Sequence, residues 1–190
     1  CVGVSYTLAR PSQPARAFPG VTGRVKSMNP LILIPARMAA TRLPNKPLAD
    51  IGGKPMIVRA WEQAALSGFR VAVAAGDPEI VEAVEAAGGL AVLTDPDLPS
   101  GSDRIRAAVE AVDPDGAHDL VINIQGDMPF ASPDLARACA DLLARESGCD
   151  IATLVAAEAD VSDRANPDVV KAVLALPEGE TSGRALYFTR

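Results

Sequence analysis

The sequence predicts an α/β protein, a three-layer α/β/α sandwich around a mostly parallel sheet. Two observations carry this. Short, continuous apolar runs recur along the chain, as strands buried on both faces require; the first is Leu31-Ile32-Leu33-Ile34. Between the runs lie segments of about 10–15 residues with apolar positions at helical spacing, the mark of parallel βαβ units. Right-handed crossovers then wind the helices onto both faces, in a Rossmann-like, doubly wound arrangement. A third observation says where chemistry belongs. Loops rich in Gly, Pro and charge follow the apolar runs, and in such sheets ligands sit at the carboxyl ends of strands.

Each element has its own signal. After the first strand, residues 35–54 are rich in Pro, Gly and cations and read as a long loop. Residues 55–67, PMIVRAWEQAALS, place Met56, Ile57, Ala60, Trp61 and Ala64 at helical spacing. Pro55 suits the first helical position and Gly68 the stop. Arg70–Ala75 is the second strand. Asp77–Ala87 is a helix opened by Asp-Pro and closed by Gly88-Gly89, and Leu90–Leu93 is the third strand. Ser102–Val112 is a helix with Ser102 as its N-cap. Leu120–Ile124 is the fourth strand, and Ser132–Glu146 a helix with a Ser-Pro start. Ile151–Ala156 and Val169–Leu176 are expected as later strands, and Ala185–Phe188 as a last strand whose exposed edge favours self-association.

Composition excludes several classes. The 190 residues are 48% hydrophobic, 22% charged and 4% aromatic, an ordinary globular balance. A chain of this size buries roughly 70% of its unfolded surface and needs no disulfide or metal to fold. A formal charge of −6 and a pI near 4.8 argue against nucleic acid or an acidic membrane held through bulk charge. No apolar run reaches the roughly 18 residues of a transmembrane helix. Cys1, Cys139 and Cys149 form no CxxC, and His118 is the single histidine, so a Cys/His zinc site does not fit. A Cys139–Cys149 disulfide has no support in the sequence; the cysteines read as reduced cytosolic thiols packed as small apolar groups. His118, in a polar loop, reads as plain surface.

Residues 1–28 stand apart. They carry Arg10, Arg16, Arg24 and Lys26 with no acid, and have neither helical nor strand periodicity. They are either an Arg-rich targeting segment without an apolar h-region, or sequence upstream of a true start at Met28; the second is preferred. In both cases the stretch is expected to be disordered or loosely attached.

Three loops carry the chemistry. The first places Arg37, Arg42 and Lys46 at spacings of five and four after the first strand. A triphosphate carries about four negative charges, and cations so placed can hold it and stabilise a leaving pyrophosphate. The loop has neither the Walker GxxxxGK[ST] pattern nor GxGxxG, and a merely solvated basic loop is the alternative. The second loop runs Thr94–Arg104, and its Ser100-Gly101-Ser102 start can present backbone N–H groups to a ligand or simply cap a helix. The third reads Asn123-Ile124-Gln125-Gly126-Asp127-Met128. An acid just beyond a buried strand suits Mg²⁺, which prefers one or two carboxylates with phosphate oxygens and water. The alternative is a turn Asp capping the next helix, for which Ser132 is better placed.

Taken in order, LILIPARMAATRLPNKPLADIGGKPMI, TDPDLPSGSDR, NIQGDMPF, NPDVVKAV and ALYFTR resemble the 3-deoxy-manno-octulosonate cytidylyltransferase family, from about residue 30 to the end. The opening motif is shared with other sugar nucleotidyltransferases; the ordered set is more specific. The resemblance implies a fold of the nucleotide-diphospho-sugar transferase type, over residues 29–190. It implies transfer of CMP from CTP to 3-deoxy-manno-octulosonate (Kdo) with release of pyrophosphate, for lipopolysaccharide assembly in the cytoplasm. It implies Mg²⁺ as cofactor and a homodimer, with no nucleic-acid or membrane partner. Arg37, Arg42 and Lys46 match the family's phosphate-binding cations, and Asp127 its Mg²⁺ ligand. Gln125 and Gly126 belong to the same metal and substrate segment. Ser100, Gly101 and Arg104 match the segment that closes on nucleotide and sugar, and Asn166, Lys171, Tyr187 and Arg190 fall in motifs near the sugar-acid site. The alternatives are another sugar-acid nucleotidyltransferase, such as a sialic acid cytidylyltransferase, or a module that binds CTP without turning it over.

The chain departs from the family in having Met128 where Glu is usual and Asn45 where Gly is common. The family also continues for several tens of residues after the ALYF[ST]R motif, with a second metal-binding Asp and much of the dimer contact. The sequence therefore reads as a C-terminally truncated member, expected to be poorly active by itself, with an N-terminal extension foreign to the family.

Overall fold

The computed structural model describes residues 2–3, 28–39, 45–146, 148–156, 161–176, 178 and 180–190. In chain order the elements are β1 (Val2–Gly3), β2 (Pro30–Ala36), α1 (Met56–Ala65), β3 (Arg70–Ala75), α2 (Pro78–Ala86), β4 (Leu90–Leu93), α3 (Gly101–Val112), β5 (Leu120–Asn123), α4 (Pro133–Arg145), β6 (Lys171–Ala175) and β7 (Arg184–Thr189). Single-turn 3₁₀ helices occupy Lys46–Leu48 and Val161–Arg164. They group into two units, one ending at Leu154 and one running from Val155 to Arg190.

In the first unit a five-stranded sheet has the order β1-β5-β2-β3-β4, and every pairing is parallel. The central β2 follows from its residues. Four apolar side chains in succession leave no face for water, and Leu31, Ile32, Leu33 and Ile34 are all fully buried. Each such burial contributes about 1.5–3 kcal/mol. Alternation sends Leu31 and Leu33, with Ala72 and Ala74 of β3, to the face covered by Ile105, Ala108 and Val112 of α3. Ile32 and Ile34 face the other way, where α1 packs between α2 and α4. Arg137 of α4 ties that layer together by donating to the carbonyls of Ser67 (3.0 Å) and Leu66 (2.9 Å) at the end of α1, which satisfies open helix-terminal acceptors. The sandwich is therefore the predicted α/β/α arrangement with a Rossmann-like sheet.

Several details differ from expectation. The α3 helix starts at Gly101, and its N-cap is Ser100, whose hydroxyl accepts from the Asp103 N–H at 3.2 Å; Ser102 lies inside the helix. Ile151–Ala156 forms no strand. It has no ladder partner among the described residues, and although Ala152 is buried, Ile151 and Val155 stay exposed. In the second unit β6 and β7 pair antiparallel, with Val173 opposite Tyr187; the last apolar run is thus a hairpin arm, exposed along its length. Of the stretch expected to be loosely attached, Val2–Gly3 pairs with Ile122–Asn123 of β5; the rest up to residue 27 lies outside the described residues. Cys139 is buried and Cys149 exposed, and neither is disulfide-bonded. Burial pushes the Cys139 thiol up to about 11. No helix among the described residues is long and apolar enough to cross a membrane.

At the amino ends of the strands, His118 is not the surface residue expected. Its side chain is only 7% exposed, with Nδ1 3.1 Å from Asp113 Oδ2. The Asp113 carboxylate accepts the backbone N–H groups of His118 (2.9 Å) and Ala117 (2.8 Å). These bonds, that of His118 foremost, hold its carboxyl below the ordinary 3.8. A depressed carboxyl stabilises the fold above its unfolded pKa and loses that stabilisation as pH falls through the folded one. Asp113→Asn is therefore expected to melt lower at pH 7 and to converge with the parent below about pH 3.8, as read by thermal unfolding monitored by circular dichroism across pH.

Candidate active site

The carboxyl ends of the neighbouring strands β2 and β5 bound a cleft of about 160 Å³, lined by Pro35, Arg37, Lys46, Met56, Gly126 and Asp127 among others. Lys46 Nζ donates to Asp127 Oδ2 at 2.6 Å across 81 residues of sequence. Their side chains are 38% and 50% exposed, so the pair contributes about 0.2–1 kcal/mol and water reaches both charges. Asp127 is not the cap of α4. Ser132 fills that place, accepting the Asp134 N–H at 3.4 Å.

Local geometry explains how these side chains meet. Pro47 is buried and anchors the 3₁₀ turn that carries Lys46. Asn45, just before it, has φ 58° and ψ 21°, the left-handed region that Gly occupies without penalty and Asn tolerates better than other side chains. The position where the family commonly has Gly is therefore one that demands positive φ. Gly126 is needed for close approach: a Cβ there would lie 3.1 Å from the Pro35 carbonyl oxygen and 3.2 Å from Ile57 Cδ1. That contact brings Asp127 against the end of β2. Gln125 donates to Asn123 Oδ1 at 3.2 Å, and its carbonyl accepts the Met128 N–H at 3.2 Å, closing the turn around Asp127.

The second loop is organised from within. Arg104 is 2% exposed. Its guanidinium donates to Thr94 Oγ1, to the Asp95 carbonyl (3.0 Å) and to the Pro96 carbonyl (3.2 Å), and Thr94 Oγ1 donates on to the Ala75 carbonyl at 2.8 Å. Burial, then the charge of Arg37, lowers the guanidinium pKa, while Asp77 and Asp95 oppose the shift. Arg104 thus shapes the loop after β4 from inside the fold. Ser100 Oγ is likewise engaged with Asp103, donating to its carboxylate at 2.5 Å, and a Cβ on Gly101 would meet the Pro35 ring at 3.5 Å, an ordinary contact distance. Sequence reading did not single out Gly76 or Thr94. A Cβ on Gly76 would lie 2.8 Å from Arg104 Nη1, and the signal available was a Gly directly after the second apolar run.

The remaining expected residues are not all brought together. Arg42 lies outside the described residues. Asn166, Lys171, Tyr187 and Arg190 belong to the second unit. There Lys171 Nζ donates to the Asn166 carbonyl at 2.8 Å and Asn166 Oδ1 accepts the Asp168 N–H at 2.9 Å, while Tyr187 and Arg190 are exposed. A larger hollow of about 540 Å³ lies at the amino ends of the strands, near Met28, His118 and Leu120, away from the end where parallel sheets bind ligands.

A parallel sheet with Arg37, Lys46 and Asp127 gathered at its strand carboxyl ends is an α/β protein whose charged residues lie where such sheets bind ligands. The sequence model of the cytidylyltransferase family matches residues 31–190, and the chain belongs to that family. It is 54% identical over 162 residues to a 3-deoxy-manno-octulosonate cytidylyltransferase of Rhodospirillum rubrum, and 56% identical over 163 residues to one of Parvibaculum lavamentivorans. Each match covers 85% of this chain, which spans 64% and 62% of those relatives' lengths. A solved structure of CMP:2-keto-3-deoxy-manno-octonic acid synthetase complexed with CTP is similar with a TM-score of 0.70 and 34% identity, covering 85% of this chain and 64% of that one.

Substitution at Asn45 separates backbone from side-chain roles. Asn45→Ala is expected to destabilise the fold by about 1 kcal/mol through the left-handed penalty, and Asn45→Gly to leave stability within about 0.5 kcal/mol of the parent. Urea unfolding of the three proteins checks both.

Proposed function

We propose that the protein whose sequence this chain carries transfers CMP from CTP to Kdo, releasing pyrophosphate. The observation that carries the reading is the cleft in which Lys46 and Asp127 meet beside Arg37, in a chain of the cytidylyltransferase family. In this reaction the anomeric hydroxyl of the sugar acid attacks the α-phosphorus of CTP in line, and the bond to pyrophosphate breaks. Catalysis of such transfers is positioning and charge neutralisation. Lys46 and Arg37 hold the leaving phosphates, and Gly126 lets the backbone of β2 and the Asp127 turn close around them. Arg42 is proposed for the same task on its place in the basic motif. Asn166, Lys171, Tyr187 and Arg190 are proposed for the sugar acid on their motifs.

Mg²⁺ fits the donor set. It takes one or two carboxylates together with phosphate oxygens and water, and Asp127 offers a half-exposed carboxylate in the cleft that receives the triphosphate. When bound, the ion neutralises charge on the phosphates. A homodimer, cytoplasmic location and a role in lipopolysaccharide assembly are proposed from the family resemblance.

The test is pyrophosphate release from CTP and Mg²⁺ with Kdo, compared with sialic acid and other sugar acids. Release only with Kdo supports the reading; release with another acid, or CTP binding without release, favours the alternatives. In the same assay Asp127→Asn is expected to lower turnover on the order of 100-fold. Its unfolding free energy should fall by no more than about 1 kcal/mol, because the exposed ion pair contributes so little to stability. Turnover at the parental rate under limiting Mg²⁺ would assign Asp127 to the turn alone.

A further inference from the structure

Asp77 occupies the N-cap of α2, yet makes no side-chain bond to that helix. Its Oδ2 instead accepts the backbone N–H of Met38 at 2.7 Å, across 39 residues. The preceding residue adds a second tie: the Gly76 N–H donates to the Ala36 carbonyl at 2.8 Å. Residues 76 and 77 therefore grip the first loop on both sides of Arg37, one through the carbonyl before it and one through the amide after it. Arg37 itself is exposed and lines the cleft.

An N-cap carboxylate ordinarily accepts from its own helix, a bond worth about 1 kcal/mol. Here that bond is given up for a contact with a distant loop. The chain leaves the sheet at this point, so a wandering backbone at residue 38 would blur the placement of the cation just before it. The Arg104 guanidinium lies close beside Gly76, where a Cβ would come within 2.8 Å of Nη1. The arrangement fixes the backbone at Arg37 while its side chain stays open to solvent.

We propose that Asp77 is a positioning residue for the phosphate-binding loop, acting through the Met38 amide to aim Arg37 into the cleft. This rests on the reading that the cleft takes a nucleoside triphosphate. It assigns Asp77 no contact with substrate.

The decisive variant is Asp77→Ser. Serine retains a good N-cap for α2 but is one bond shorter and does not reach Met38; Asp77→Asn keeps an acceptor oxygen at full length. Amide exchange of the segment spanning Arg37 and Met38, read by mass spectrometry, and CTP affinity in Mg²⁺, read by calorimetry, are measured on the full chain. Asp77→Ser is expected to keep the parental melting temperature, exchange faster in that segment and bind CTP about tenfold more weakly, the scale of one hydrogen bond to a charged group. Asp77→Asn is expected to restore exchange and affinity to within about threefold of the parent. Unchanged exchange in Asp77→Ser, or faster exchange with parental CTP affinity, overturns the proposal. So does Asp77→Asn behaving like Asp77→Ser. A parent that does not bind CTP overturns the functional reading instead, and the exchange comparison still decides whether Asp77 holds the loop.

Discussion

Strand β2 has no side that faces water. Its four central residues are apolar and fully buried, and its neighbours β3 and β5 run parallel to it on either side. Such a strand excludes polar chemistry from the body of the sheet, because a buried polar group without a partner costs a few kcal/mol. Polar residues are therefore confined to where strands end. Arg37 follows β2, Gly76-Asp77 follow β3, Thr94 follows β4, and Gln125-Gly126-Asp127 follow β5. The parallel register sets these four exits at one end of the sheet, which is why residues up to 90 positions apart in sequence share one neighbourhood.

Within that neighbourhood a buried cation does structural work. Taking a guanidinium out of water is expensive unless its donors are satisfied, and Arg104 places its N–H groups on Thr94, Asp95 and Pro96. Removing it would leave three acceptors in the second loop without their donor. The absence of a side chain at Gly76 is the complementary condition, since a Cβ there would crowd the guanidinium to 2.8 Å. Charge, small residue and loop shape are one solution to one burial problem.

The elements were legible in the sequence wherever local patterning decides them. Arg70–Ala75 and Leu90–Leu93 have the bounds their apolar runs predict, because each run is flanked by Gly or by polar residues that end the strand. The start of α3 was not legible to the residue, since Ser100 and Ser102 are both competent caps and only the Asp103 N–H chooses between them. Ile151–Ala156 reads like a strand but forms none, because a strand also needs a partner, which composition does not encode. The cations and Asp127 were visible as residue types after strands, and Lys46 and Asp127 do meet. Asp77 reads as the opening of α2 and is its N-cap; what local patterning did not show is its bond to Met38 in the loop after β2. The bonds of Arg104 to Thr94, Asp95 and Pro96 within its own loop were unseen for a related reason, since residue type and spacing do not say which side chain turns inward.

The charged residues near the strand ends thus divide by how firmly they are committed. Arg104 is buried and satisfied by fixed acceptors, so displacing it would break several bonds in a region water does not reach. Lys46 and Asp127 are half-exposed, and separating them costs about 1 kcal/mol or less. The function proposed for the cleft, on a polyanion and a divalent cation, draws on both kinds. Fixed charge holds the loops in place before the ligand arrives, so that little ordering entropy remains to oppose binding. Exchangeable charge lets the carboxylate turn to a metal and the ammonium to a phosphate without leaving either unpaired. A deeply buried Lys46–Asp127 pair would hold the cleft shut against the proposed ligands; half-exposed, the same two residues balance each other and part at little cost.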